Sequence, residues 1–127
     1  MKYRGYRDLK VYQLAYKLAM ELFHETQKFP KDETYSLVDQ IRRSSRRVPA
    51  NIAEARKKRN YPKVCVHKMS DVAGEATETE VWLDFSFDCG YTQKKQYDRF
   101  RQGYDEINRM LHRIMNNPEG FCTKSTK

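Results

Sequence analysis

Apolar residues recur at helical intervals through most of the chain. Leu9, Tyr12, Tyr16, Ala19 and Phe23 step by three and four, and Val11, Leu14, Leu18 and Leu22 widen the stripe. This predicts an amphipathic helix from residue 8 to about residue 28, with a face broad enough for both a bundle core and a second subunit. Phe29-Pro30 ends it, because a residue preceding proline is pushed out of helical geometry. A second helix is predicted through Leu37, Val38, Ile41, Val48 and Ile52, with Asp32 as its N-cap and Glu33 complementing the helix dipole. Pro49 lacks a backbone donor and is expected to kink or restart this helix, which then runs to about residue 59, before the Asn60-Tyr61-Pro62 break.

A third helix over residues 63–89 uses Val66, Met69, Val72, Ala73, Ala76, Val81, Leu83 and Phe87, a less regular stripe, and Gly90 fits its C-terminal cap. Thr92 is the expected cap of a fourth helix, in which Tyr97, Phe100, Tyr104, Ile107, Leu111 and Ile114 alternate steps of three and four without a miss. Asn116-Asn117-Pro118 stops that helix. No strand alternation or hairpin signal is present. The reading is all-α: an antiparallel up-down four-helix bundle with a proline-kinked second helix, comprising a domain over residues 1–117 and a flexible tail over 118–127.

Composition narrows the function. With 127 residues, 39% of them hydrophobic, and a mean hydropathy of −0.97, the chain has a lean supply for one core, which favours association. No run approaches the roughly 20 apolar residues of a membrane span, and the start MKYRGYRD lacks an apolar signal region, so a cytoplasmic protein without membrane attachment is expected. Cys65, Cys89 and Cys122 are odd in number and widely spaced, and read as free thiols in a reducing compartment. Neither they nor the scattered His24, His67 and His112 form a metal-ligand pattern, and no metal or cofactor is expected.

Charge is concentrated in one place. Residues 40–63 carry Arg42, Arg43, Arg46, Arg47, Arg56, Lys57, Lys58, Arg59 and Lys63 against the single acid Glu54, so the formal net charge of +8 resides in this stretch. At about 100° per residue, Arg42, Arg43, Arg46 and Arg47 fall between roughly 100° and 240° from Ile41, away from the apolar side. Arginine's planar fork binds phosphate oxygens in pairs, and these residues are the candidate nucleic-acid surface. The competing reading is a solvated face with i,i+4 pairs from Asp39 to Arg43 and from Glu54 to Lys58. Against it, Arg42 with Arg46 and Arg43 with Arg47 are like-charged at that spacing. No aromatic residue interleaves the arginines, so binding is expected to be electrostatic and tolerant of sequence, with RNA, DNA or their hybrid as partner.

Six acids and no base lie between Asp71 and Asp88, which suggests contact between the third helix and the basic one, within or between chains. A catalytic reading would place magnesium on Asp71, Glu75 and Glu78 with Glu54 opposite, but the second paired-carboxylate motif of such a site is missing. Neither a glycine-rich phosphate loop nor a nucleophile triad occurs, and the expectation is a non-enzyme. Trp82, Phe85 and Phe87 fit core or subunit-interface positions. Asn51 is expected to satisfy backbone groups freed at Pro49.

The order of motifs resembles the four-helix bundle family of 23S rRNA intervening-sequence proteins, which includes the accessory variability determinants of diversity-generating retroelements. The resemblance rests on YRDLKVYQLAYKLAMEL, KFPKDETYSLVDQIRRS, VPANIAEA, GEATETE and DCGY, spread over about residues 6 to 115. Its signature positions here are Pro49, Asn51, Glu54, Gly74, Glu78 and Glu80. Family members usually read PANIAEG; this chain has Ala55 and then Arg56-Lys57-Lys58-Arg59, which favours continued helix and adds charge. Arg46 and Arg47 likewise replace small or apolar residues common in the family. The resemblance implies a homopentameric bundle. For the retroelement branch it also implies nucleic-acid binding and partnership with a reverse transcriptase, the alternative being a homo-oligomeric interaction protein with no nucleic-acid role.

Overall fold

The computed structural model describes residues 4–123, and every regular element among them is helical. Four helices follow one another: α1 (Lys10–Thr26), α2 (Leu37–Lys57), α3 (Pro62–Asp88) and α4 (Lys94–Asn116). Short 3-10 turns at Gly5–Asp8, Lys31–Glu33 and Pro118–Gly120 precede α1, precede α2 and follow α4. Each helix packs on its neighbour in sequence, and α1 closes the ring against α4.

Contacts across every seam run in opposite senses. Between α2 and α3, Ser44 meets Thr79, Arg47 meets Glu75 and Glu54 meets Lys68. Between α3 and α4, Asp84 meets Arg101 while Glu80 reaches on to Asn108. Between α1 and α2, Arg42 meets Thr26 and Arg46 meets Phe23, and between α1 and α4, Arg99 meets Glu21 and Gly103 meets Leu18. The bundle is therefore antiparallel throughout, as connections this short require.

Its core draws on all four helices: Ala15, Leu18 and Leu22 from α1; Ile41, Val48 and Ile52 from α2; Met69, Val72 and Leu83 from α3; Phe100, Tyr104, Ile107 and Leu111 from α4. Each fully buried aliphatic side chain contributes about 1.5–3 kcal/mol. Gly103 lets α1 approach α4 closely, since a Cβ there would lie 2.7 Å from Leu18 Cδ2. A smaller cluster of Phe29, Leu37 and Val38, packed with Trp82 and Tyr91, closes the α1–α2 connection over the α3–α4 turn. Polar groups also lie in the interior. Thr79 and Ser44 hydroxyls are 2.8 Å apart across the α2–α3 seam, and the Tyr104 hydroxyl is fully buried without a hydrogen-bond partner among the described residues, its pKa pushed up by that burial.

Several local expectations are corrected. Asp32 does not cap α2; it sits in the preceding 3-10 turn. The Glu33 carboxylate instead accepts from the Ser36 hydroxyl at 2.6 Å and the Leu37 amide at 3.4 Å. α2 continues across Pro49 without restarting. Thr92 is buried with its hydroxyl unpartnered among the described residues, and Gln93 takes the N-cap position of α4. Val81 is 44% exposed rather than core. Cys65 and Cys122 are joined in a disulfide, so only Cys89 is a free thiol, and it is exposed. The segment expected to be a flexible tail is docked as far as Cys122: Phe121 and Cys122 are both buried. The rest of that expectation, over residues 124–127, lies outside the described residues.

Candidate nucleic-acid interface

α2 is flanked by α1 on one side and α3 on the other, which divides its basic residues into distinct groups. Arg42 belongs to the α1 seam. It is half-buried; its Nε donates to the Thr26 hydroxyl at 2.8 Å, a terminal nitrogen donates to the Phe23 carbonyl at 3.3 Å, and the guanidinium lies 4.7 Å from the Phe23 ring centroid. Burial, and then the neighbouring Arg46 charge, lower its pKa from the ordinary arginine value. Its expected place on the solvent face is thus corrected: Arg42 closes the end of α1.

Arg43, Arg46, Arg47 and Lys57 are exposed along the outer face. From Arg43 to Lys57 this row extends about 21 Å at 1.5 Å per residue. Arg46 approaches the Phe23 ring at 5.8 Å and lines an apolar groove of about 370 Å³ with Tyr16, Met20 and Pro49. Arg47 pairs with Glu75 at 3.6 Å across the α3 seam. The expected pairs of Asp39 with Arg43 and Glu54 with Lys58 do not form; Glu54 pairs with Lys68 of α3 at 3.1 Å. Among the described residues, Arg47 is the one member of the basic stretch with a carboxylate ion-pair partner.

The second basic group lies at the end of α2. Arg56 is half-buried and donates to the Phe121 carbonyl at 2.9 Å, with its guanidinium 5.2 Å from the Phe121 ring centroid. Lys57, Lys58 and Arg59 surround the turn that ends the helix, and Lys63 is exposed in the first turn of α3. Backbone donors satisfy three of the last four carbonyls of α2: Lys58 N–H bonds to Glu54 and Ala55, and Arg59 N–H to Arg56. The side-chain donors are therefore not needed to cap the helix.

The signature residues separate as well. Asn51, Gly74 and Glu78 line a polar cleft of about 570 Å³ between α2 and α3 with Arg47, Asp71 and Glu75. Asn51 makes no hydrogen bond to the backbone around Pro49 among the described residues, contrary to expectation. Pro49 is buried. The Glu78 carboxylate accepts from the Trp82 indole at 3.2 Å, while Glu80 faces α4, bonding Asn108 at 2.8 Å and Arg101 at 3.4 Å. The acids of α3 thus divide between the basic helix and α4. Among the described residues no three acidic, histidine or cysteine side chains converge as a metal site would require. No helix among them is long and apolar enough to cross a membrane.

These features define an all-helical bundle with one basic, largely unpaired outer face. The family model of the 23S rRNA-intervening sequence protein matches residues 7–113, and the chain belongs to that family. Among solved structures it is similar to a protein of unknown function from the S23 ribosomal protein family of Bacteroides thetaiotaomicron, with a TM-score of 0.75 and 26% identity over 84% of this chain and 99% of that one. Comparison with curated proteins finds no match.

Proposed function

We propose that this protein is a non-enzymatic accessory protein that binds nucleic acid through the outer face of α2. The observation that carries the reading is the row of Arg43, Arg46 and Lys57, exposed and without carboxylate partners among the described residues, on a helix where Arg42 and Arg56 are fixed against the bundle and Arg47 pairs with Glu75. The like charges of Arg43 and Arg46, one turn apart, are stabilised by an anionic ligand, and phosphates spaced along a strand match a row extending on to Lys57 better than a single small anion does. The family resemblance extends the proposal to a homopentamer partnering a reverse transcriptase. Ring assembly would repeat the face and give avidity without new contacts. Exposed Tyr16, Met20, Val81 and Phe85 supply apolar surface for such assembly, which also supports the second reading, a homo-oligomeric interaction protein with no nucleic-acid role.

The test is a salt titration of binding to RNA, duplex DNA and hybrid. With about three phosphates neutralised, affinity should fall roughly fortyfold between about 50 and 200 mM salt. Reversing Arg43, Arg46 and Lys57 to glutamate should abolish the slope. Binding that is absent at low salt, or that survives the reversal, would leave the interaction-protein reading.

A further inference from the structure

We propose that the end of α2 carries a dedicated site for a terminal phosphomonoester of a nucleic-acid strand. The inference rests on the nucleic-acid reading above and sharpens it. A cavity of about 430 Å³ opens where the 3-10 turn before α1 meets the last turn of α2. Arg4, Arg56, Lys57 and Arg59 line it, and among the described residues no carboxylate does.

Two of these cations are held in place. Arg4 is anchored by Asp8, which accepts from its backbone amide at 2.8 Å and from its Nε at 3.2 Å. That anchoring lowers the Asp8 pKa, chiefly through the backbone hydrogen bond, so Asp8 is ionised at neutral pH. Arg56 is held by the Phe121 carbonyl and ring, and its Nε is buried without a hydrogen-bond partner among the described residues. Lys57 and Arg59 have no ion pair among the described residues and flank the opening. Gly5, at φ +68°, turns the chain so that Arg4 comes over the end of α2.

The charge count distinguishes the ligand. Asp8 offsets Arg4 from outside the cavity and the C-terminal end of the α2 dipole offsets about half a charge more, which leaves about 2.5 positive charges on Arg56, Lys57 and Arg59. A backbone phosphodiester brings one negative charge, whereas a terminal monoester brings about 1.5 to 2 near neutral pH, with three oxygens for charge-assisted hydrogen bonds. The site is also concave and terminal. It closes off the exposed row at Lys57, where a strand lying along α2 would end rather than continue. A phosphate group is the shared chemistry of a strand terminus and of free inorganic phosphate, and the experiment separates the two.

Oligonucleotides of one sequence, with and without a terminal phosphate, are titrated against the full-length protein. The phosphorylated strand should bind about tenfold more tightly, the gain expected of one added charge-assisted contact. Lys57→Ala and Arg59→Ala together should erase that preference without changing the thermal midpoint, on top of a weakening of both strands because Lys57 also belongs to the outer row, whereas Arg43→Ala should weaken both strands alike and leave the preference intact. Equal affinity for the two strands, or a preference that survives the double substitution, overturns the proposal and leaves the outer-face reading standing. If neither strand binds, that reading fails, and inorganic phosphate is titrated while the backbone amides of Lys57 and Arg59 are followed by NMR. Saturable shifts there would assign the cavity to a free phosphate and overturn the strand-end proposal; no shifts would overturn the cavity as a phosphate site altogether.

Discussion

Arg42 and Arg43 are adjacent, equally charged and alike in sequence context, yet their surroundings differ. Arg42 makes two hydrogen bonds to α1 and stacks on Phe23, whereas Arg43 is exposed with no partner among the described residues. Arg42→Ala should therefore lower stability by about 1–3 kcal/mol, through lost charge-assisted bonds and ring contact, with Thr26 left short of a donor. Arg43→Ala should change it by less than about 0.5 kcal/mol. Urea unfolding midpoints decide this, and equal losses would mean that Arg42 is not a structural residue. The difference was not legible in periodicity, which places Arg42 at the margin of the polar face. What recruits it is the Thr26 hydroxyl and the Phe23 carbonyl at the end of α1, a feature of tertiary packing. Arg56 follows the same logic, since the Phe121 carbonyl that holds it lies 65 residues away in sequence.

At the scale of elements, the four helices were readable and their edges less so. α3 shows why its stripe looked irregular: its buried positions are Cys65, Met69, Val72, Ala76, Thr79, Leu83 and Ser86, a regular alternation of four and three. Three of the seven are small polar residues or cysteine, so a search for apolar residues skips them and picks up exposed Val81 instead. Ser86 and Thr79 fit there because each hydroxyl bonds a carbonyl one turn back, Trp82 at 2.8 Å and Glu75 at 2.9 Å. The end of α3 was legible because its signal is local. Gly90 adopts φ +79°, and the amides of Gly90 and Tyr91 bond the carbonyls of Phe87 and Ser86, closing a Schellman turn. Gly90→Ala should cost about 1–2 kcal/mol by forcing a side chain into left-handed geometry. Gly74, within α3 with open space beside its Cα, should respond oppositely: Gly74→Ala should add up to about 1 kcal/mol. Thermal unfolding of the two variants should shift in opposite directions, and a parallel shift would contradict the cap assignment.

For the molecule as a whole, the largest departure from the sequence reading is the crosslink between Cys65, in the first turn of α3, and Cys122, beyond α4. An odd number of cysteines and a separation of 57 residues gave no local sign of it; only the bundle brings the start of α3 and the segment after α4 together. Closing a loop of that size removes denatured-state entropy worth about 4 kcal/mol in the chain-entropy model, a large share of a small domain's stability. The same bond pins the turn that buries Phe121 and supplies the carbonyl for Arg56. Replacing both partners, Cys65→Ala with Cys122→Ala, should lower the stability measured in urea by about 2–4 kcal/mol, and reducing the unmodified protein should lower it similarly. Thiol counting supplies the control. In denaturant without reductant the protein should present one reactive thiol, Cys89, and after reduction three. Three thiols without reduction would show that the bond does not form. The bundle would then rest on its apolar core alone, as a chain held in a reducing compartment must.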